Sequence, residues 1–231
     1  MKRAWIPLVL SILIGVAFFS VRSTSQQGGG GERNVAILVY EGVEPLDFAG
    51  PGEVFASTRG FRTFSIAAND QPVESGNFFR IVPEHTFASH PRIDILVVPG
   101  GDAGNVLYSR ETMAWVRKTG READLVLSVC NGATIIASAG LLDGLEATTH
   151  QGTISSLREM APRTVVHSDL RFVDNGKVIT SAGVSAGIDA SLYLVSRLLG
   201  EERARRTARY MEYDWRPEKL KFKVVKPGGG S

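Results

Sequence analysis

The stretch Leu125–Gly140, LVLSVCNGATIIASAG, decides the fold because it predicts a buried strand that passes directly into a helix. LVLSV is apolar and too short for a helix, whereas the following small and apolar residues end at a glycine that stops a helix. The single cysteine of the chain, Cys130, lies at the junction. A side chain there emerges beside the free N–H groups of the helix, which favour negative charge. The sequence therefore predicts an ionised, reactive thiol on a sharp strand-to-helix turn.

The residues after Cys130 fit this interpretation. The backbone N–H of Asn131 is expected to stabilise an oxyanion, as in hydrolases that carry their nucleophile on such a turn. Gly132 is expected to leave room for a substrate. The alternative is that Cys130 is simply a small hydrophobic residue of the core.

The N-terminal segment differs in composition from the rest of the chain. Two basic residues precede an almost uninterrupted apolar run at residues 4–19, and a segment rich in Gly, Ser and Gln follows it. This pattern predicts a signal peptide or membrane anchor plus a flexible linker in residues 1–32. We therefore expect an exported protein, periplasmic or extracellular, that contacts the membrane only through this segment.

Export to an oxidising compartment would affect the interpretation of Cys130. A lone cysteine in an oxidising compartment has no partner for an internal disulfide, so Cys130 is expected to be inert and buried or retained for its chemistry. Reversible oxidation, as in a redox sensor, stays open as one such use.

The remaining composition predicts one globular domain. The 231 residues are 43% hydrophobic and 22% charged, with a net charge of +2 that selects no class of partner. We expect this domain at residues 33–217 and a polar tail at residues 218–231.

Strand patterns alternate with helix patterns along the domain. Continuous apolar runs at Asn34–Tyr40 and Ile93–Val98 predict central strands covered on both faces. Helices are predicted at Glu111–Arg121, Ser185–Leu199 and Glu201–Tyr210. This alternation predicts an α/β fold with a mainly parallel sheet, in which ligands bind beyond the carboxyl ends of the strands.

Two further strand ends carry residues suited to chemistry. Gly100 and Gly101 let the backbone approach a ligand and supply N–H groups. Asp47 lies in a loop before a helix predicted to begin at Pro51, and its apolar neighbours favour a raised pKa. Asp47 is therefore predicted to be an acid or base beside Cys130, with a helix-capping role as the alternative.

Histidines and arginines give weaker signals. His150 is predicted either to orient or deprotonate the thiol or to bond local backbone at a helix start. No histidine has a second ligand at a metal spacing, so neither a metal nor a cofactor is predicted. The arginines of Glu201–Tyr210 are balanced by glutamates and lack interleaved aromatic residues, which predicts a solvated face rather than a nucleic-acid site.

Several motifs together resemble the ThiJ/PfpI superfamily, and most closely its isonitrile hydratase branch, which also supplies sensor domains to certain AraC-type regulators. The motifs are VAILVYEGVEPLDFAGPGEVF, ILVVPGG, SVCNGA, GLLDGLEATTH, ITSAGVSAGID and ARYMEYD. The resemblance implies a flavodoxin-like three-layer sandwich, related to the glutamine amidotransferase fold, with a cysteine nucleophile elbow. It also implies a homodimer. No DNA-binding pattern follows Tyr213, so a complete regulator is not expected.

The resemblance also implies roles for residues. Cys130 matches the nucleophile, Asp47 the facing carboxylate, and Gly101 and Asn131 the backbone donors, while His150 stands where many members have a histidine. The hydratases have Thr after the cysteine, whereas this chain has Asn131. The resemblance implies a cysteine-dependent hydratase or hydrolase of small molecules, with Gly100 and Gly132 beside the substrate. The alternatives are a ligand-binding or redox-sensing protein and, less favoured, a peptidase or a glyoxalase-like enzyme.

Overall fold

The computed structural model describes Met1 and residues 31–226. The apolar run at residues 4–19, predicted as a signal or anchor, lies outside this part of the chain. Where the structure is described, the helices are too short or too polar to cross a membrane.

One eight-stranded sheet organises residues 31–226. In chain order the strands are β1 (Arg33–Leu38), β2 (Phe61–Ala67), β3 (Val73–Ser75), β4 (Phe79–Ile81), β5 (His85–Thr86), β6 (Ile95–Val98), β7 (Leu125–Val129), β8 (Glu146–Ala147), β9 (Val165–Val166), β10 (Phe172–Asp174), β11 (Val178–Ser181) and β12 (Phe222–Val224). The main sheet has the order β12-β10-β11-β7-β6-β1-β2-β5. All neighbours from β11 to β5 are parallel, and β10 is antiparallel to β11.

Seven helices cover the two faces of this sheet within the described residues. They are α1 (Pro45–Ala56), α2 (Gly104–Leu107), α3 (Arg110–Glu122), α4 (Gly132–Ser138), α5 (Ile154–Met160), α6 (Ala186–Leu199) and α7 (Glu201–Tyr210). Because side chains alternate along a strand, Ala36 and Leu38 of β1 pack in one core with α3, α4 and α5. Val35 and Ile37 pack in the other core with α1, α6 and α7. The predicted three-layer α/β arrangement is confirmed.

Helix α1 begins earlier than predicted. Pro51 had been assigned to the helix start, but Pro45 occupies the first turn and Pro51 lies inside the helix. Both prolines suit a first turn, because proline lacks an N–H that would be unpaired there. The structure uses the earlier one, so Asp47 belongs to the first turn of α1 rather than to a loop.

The predicted polar tail is partly strand. Phe222–Val224 forms β12, which pairs in parallel with β10, and the Phe222 ring stacks on Phe172 at 4.6 Å between centroids. This aromatic contact stabilises the pairing of a segment whose polar composition had suggested a tail. The ordered chain thus extends beyond the predicted boundary at residue 217.

Candidate active site

Cys130 occupies a sharp turn between β7 and α4. Its backbone has φ of 58°, in the left-handed region that non-glycine residues rarely adopt. The Cys130 N–H donates to the carbonyl of Ala182 at 3.2 Å, and the Thr149 hydroxyl donates to the Cys130 carbonyl at 2.8 Å. The predicted strand–turn–helix is confirmed. These contacts hold the sulfur where only 8% of the residue is exposed.

Asp47 faces this thiol and is fully buried. Its Oδ2 accepts the N–H of Gly100 at 2.9 Å and its Oδ1 accepts the N–H of Val184 at 3.1 Å. The Cys130 thiol lies close enough to this carboxyl group for each of the two groups to shift the pKa of the other. Asp47 comes from α1, Gly100 follows β6 and Val184 precedes α6, so three elements converge on one carboxyl group. The predicted juxtaposition of Asp47 and Cys130 is present.

Both groups of this pair hold their protons more tightly than usual. Burial raises the pKa of Asp47 to about 7, against the opposing effect of hydrogen bonds from Gly100, the thiol and Val184. Burial, followed by the Asp47 charge, raises the pKa of Cys130 to about 12. The Asn131 and Val184 N–H groups act in the opposite direction and are outweighed.

The prediction of an ionised thiol is therefore wrong. It rested on the field of the helix N-terminus, which lowers a thiol pKa when the sulfur is partly solvated. Here α4 has seven residues, and a buried carboxylate lies beside the sulfur. Burial therefore favours the protonated thiol, and it also makes the neighbouring carboxyl group hold its proton more tightly than an exposed aspartate would.

Two of the four non-glycine residues with positive φ among the described residues, Cys130 and Val184, lie at this site. Val184 has φ of 54°, which is unusual for a β-branched residue, and its N–H is the one that Asp47 accepts. Cys130 and Val184 thus both adopt the left-handed conformation beside Asp47, Val184 with its N–H on the carboxyl group and Cys130 with its side chain near it. Strain of this kind clusters at functional sites, because the surrounding contacts must hold it in place.

The Asn131 side chain has a role that the sequence did not reveal. Its Oδ1 accepts the N–H of Gly101 at 2.8 Å, and its Nδ2 donates to the Gly101 carbonyl at 2.8 Å. The Gly101 N–H is therefore not a free oxyanion donor, and neither is that of Gly100, which is bonded to Asp47. Of the predicted donors, only the backbone N–H of Asn131 points at the sulfur.

The predicted glycines act through close packing. A Cβ at Gly100 would collide with the Asn131 amide oxygen and lie 2.8 Å from the Asp47 carboxyl group. A Cβ at Gly132 would collide with the carbonyl oxygen of Val98. Gly132 thus brings α4 against the end of β6, and the prediction that it leaves room for a substrate is wrong. Gly100 lets two functional side chains meet.

His150 lies in the wall of the site without bonding the thiol. Its Nδ1 accepts the N–H of Gly152 at 3.2 Å, and its ring occupies the space that a Cβ on Gly183 would fill. No hydrogen bond joins His150 to Cys130 in the part of the chain that the structure describes. The structure thus shows the alternative prediction for His150, a hydrogen bond to local backbone, and His150 also lines the cavity.

The sulfur lies at the base of an open cavity of about 340 Å³. Its wall consists of Gly42, Glu44, Gly101, Asp102, Cys130, Asn131, His150, Thr153 and Val184. Residues 31–226 contain no cluster of three His, Cys, Asp or Glu side chains suited to a metal ion. The cavity is open to solvent and is lined by Cys130, whereas the Asp47 carboxyl group lies behind the cysteine and is not part of the cavity wall.

Comparison with known proteins identifies the family. The profile described as "DJ-1/PfpI family" matches residues 33–197, which is most of the chain. The chain belongs to the DJ-1/PfpI family. Its sequence is 32% identical over 180 residues to an isonitrile hydratase of Pseudomonas putida, covering 78% of each protein. A solved structure of a ThiJ/PfpI family protein from Pseudomonas syringae has a TM-score of 0.74 at 32% identity, covering 87% of this chain and 80% of that one.

Regulators also contain this domain. The chain is 26% identical over 166 residues to the HTH-type transcriptional regulator GbdR of Pseudomonas aeruginosa, covering 72% of this chain and 44% of the regulator. The predicted resemblance to the ThiJ/PfpI superfamily, including its flavodoxin-like fold, is confirmed. Family membership alone leaves open whether a member turns over its ligand.

Sequence reasoning missed the acidic rim of this DJ-1/PfpI site. Glu44 occupies the position before α1 without a capping hydrogen bond from its side chain, Asp102 follows the glycine pair, and both line the cavity. Asp102 accepts a hydrogen bond from the Asn105 amide at 3.2 Å. The signal was their adjacency to predicted site residues, since Glu44 is three positions before Asp47 and Asp102 is next to Gly101.

Proposed function

We propose that this DJ-1/PfpI domain is a cysteine-dependent hydratase of small molecules, with isonitriles as the substrate class. The observation that supports this most directly is that Cys130 lines an open cavity and has the buried Asp47 carboxyl group beside it. Both groups have raised pKa values, so they retain a proton that can be delivered to a bound substrate. The similarity to an isonitrile hydratase over 78% of both chains supports the choice of substrate.

The proposed first step transfers one proton and forms one C–S bond. The Cys130 sulfur attacks the terminal carbon of the isonitrile, and the thiol proton passes through the Asp47 carboxylate to that carbon. The product is a thioimidate on the cysteine, in which the former S–H bond has been replaced by C–S and C–H bonds. A protonated thiol suits this reaction because the isonitrile carbon must form a bond to the sulfur and also gain a proton.

The second step releases the product with water. Asp47 accepts one proton from the attacking water and passes it to the nitrogen of the adduct, while the water oxygen bonds to the carbon. The C–S bond of this hydroxyl adduct then breaks, the hydroxyl proton passes through Asp47 to the sulfur, and an N-substituted formamide is released. The Asn131 N–H, which points at the sulfur, stabilises the charge that develops as that bond breaks. His150 forms part of the cavity wall in this scheme.

Turnover of an alkyl isonitrile by the purified full chain tests this proposal. Formamide should form with the wild type and fall by about two to four orders of magnitude in Cys130→Ser and Asp47→Asn. Asp70→Asn removes an exposed carboxylate and serves as the control, with unchanged rate. Methylglyoxal and a peptide substrate run in parallel test the glyoxalase-like and peptidase alternatives. Formamide production that survives Cys130→Ser would contradict the assignment.

Ligand binding without turnover is the second candidate. It is favoured by the match to a transcriptional regulator, in which a domain of this kind accounts for less than half of the protein. The raised pKa of Cys130 argues against the redox-sensing alternative, because the thiolate is the form that peroxide oxidises. Calorimetric binding of an isonitrile that survives in Cys130→Ser, with no turnover by the wild type, would select this candidate.

We further propose that the protein is exported, with the apolar run at residues 4–19 as signal or anchor, and that it forms a homodimer. The basic residues before the run support export. Fusing residues 1–32 to alkaline phosphatase, which is active only outside the cytoplasm, tests the first proposal. Analytical ultracentrifugation of the full chain in detergent tests the second.

A further inference from the structure

The four arginines of α7 separate into two pairs with different surroundings. Arg205 forms a salt bridge with Glu201 at 2.6 Å, and Arg209 forms one with Glu202 at 3.2 Å. These two residues are four positions apart and share a solvated face of the helix. For Arg205 and Arg209, the prediction of a solvated face is confirmed.

The other two arginines face a cavity. Arg203 and Arg206 lie three positions apart on α7, and with Arg59 from the loop before β2 they surround a cavity of about 310 Å³. The complete lining is Ser57, Arg59, Arg203, Arg206, Thr207 and Tyr210. Within residues 31–226, none of these three arginines forms a salt bridge. Three uncompensated cations therefore converge on one concave surface.

The Arg203 guanidinium is held in place but incompletely satisfied. One terminal nitrogen donates to the carbonyl of Arg59 at 3.2 Å, and Nε is buried without a hydrogen-bond partner among the described residues. A buried charged donor without a partner is unfavourable, so the Arg203 side chain does not satisfy all of its donors within the described residues. The acidic side chain beside the cavity is Glu53, and it accepts the Ser57 hydroxyl at 2.6 Å.

This cavity is separate from the cysteine site. Arg59 precedes β2 and therefore lies at the amino end of that strand, whereas Cys130 follows the carboxyl end of β7. Both strands belong to the parallel part of the sheet, so the two sites lie at opposite edges. Ligand binding to the arginine cavity is thus distinct from the chemistry at Cys130.

We propose that the cavity formed by Arg59, Arg203 and Arg206 binds the phosphate group of a small phosphate monoester. Guanidinium groups present paired N–H donors that match two phosphate oxygens, and three of them suit a dianion better than a single carboxylate. The Tyr210 ring and the arginine stems supply an apolar rim for the organic part of the ester. The volume is at the lower end of the range of small-molecule sites, roughly 300–1,000 Å³.

Isothermal titration of the full chain in detergent, at constant ionic strength, tests this site. The probes are inorganic phosphate, phenyl phosphate and dihexanoyl phosphatidic acid below its micelle concentration. Arg206→Gln is expected to weaken binding by about tenfold or more, because one charge-assisted contact is lost. Arg209→Gln removes the same charge from the same helix outside the cavity and is expected to change affinity by less than about twofold.

The outcomes separate the ligand sources and the failure of the site. Tighter binding of phenyl phosphate assigns a soluble ester, and tighter binding of the phosphatidic acid assigns a lipid headgroup. Both results support a phosphate site. No binding of any probe, or equal losses in Arg206→Gln and Arg209→Gln, would overturn it. Arg206 is exposed, so its replacement tests the site even where Arg203→Gln, which alters a partly buried residue, unfolds.

Discussion

Asp47 and Asp174 are both buried carboxylates, but their partners differ. Asp174 accepts from the Arg197 guanidinium at 2.6 Å and from the Tyr193 hydroxyl at 2.7 Å. Among the described residues, Asp47 forms no salt bridge, and it faces two backbone N–H groups and a thiol. A permanent positive charge fixes the ionised form of a carboxyl group, whereas a thiol can only share a proton with it. The comparison indicates that Asp174 holds the fold together and that Asp47 is available for chemistry.

The largest effect is expected from removing the counter-charge of Asp174. Arg197→Met leaves a carboxylate with 1% exposure without its cation, which should lower the free energy of unfolding by about 3 kcal/mol. Urea denaturation measures this loss. Arg209→Met, on the surface of α7, should change stability by less than about 0.5 kcal/mol. A loss no greater than in this control would show that the guanidinium is not what stabilises the buried carboxylate.

An intermediate effect is expected in the pH dependence of stability. The pKa of Asp47 rises from 3.8 to about 7 on folding, so between these values the folded state binds more protons than the unfolded state. Stability conferred by the protonated form is complete below pH 3.8 and is lost as the pH rises through 7.

Asp47→Asn should therefore flatten the stability profile between pH 4 and pH 7. Unfolding in urea at a series of pH values measures the slope, and Asp70→Asn controls for the loss of an exposed carboxylate. Equal slopes for the wild type and Asp47→Asn would show that Asp47 does not retain its proton in the folded state.

The smallest effect is expected in the reactivity of the thiol. Because burial raises the pKa of Cys130 to about 12, alkylation by iodoacetamide should accelerate up to pH 10 without a plateau. Removing the nearby charge in Asp47→Asn should lower the midpoint by about one unit. A wild-type midpoint near that of a free thiol, about 8.5, would contradict the desolvated pair.

The sequence was sufficient to predict the sheet, the cysteine elbow and the partner of Cys130. A short, continuous apolar run such as Ile93–Val98 is typical of a central strand that is covered on both faces. The turn at Cys130 is predicted because the apolar run LVLSV ends there. The parallel order then brings the carboxyl ends of β6 and β7 together. The structure confirms the sheet and the strand–turn–helix at Cys130. It also places the Asp47 carboxyl group near that cysteine, while the role of Asp47 stays a prediction.

Other features depend on contacts that no local pattern contains. The start of α1 was wrong because two prolines could occupy the first turn, and packing decides between them. The prediction that the Gly101 N–H is an oxyanion donor was wrong, because this N–H donates to the side-chain amide of Asn131, thirty positions away in the sequence. The prediction that the Cys130 thiol is ionised was wrong. A helix terminus can be recognised from the local sequence, whereas the burial that raises the pKa of the thiol depends on the whole fold.

The strained turns at Cys130 and Val184 limit how this domain can be engineered. A non-glycine residue in the left-handed region is destabilised by roughly 1–3 kcal/mol, and glycine adopts the same conformation without that strain. Any thermostability design that scores folding alone will select glycine at both positions. Such a design would delete the sulfur and loosen the amide that holds the Asp47 carboxyl group, so robust versions of this domain have to gain their stability elsewhere.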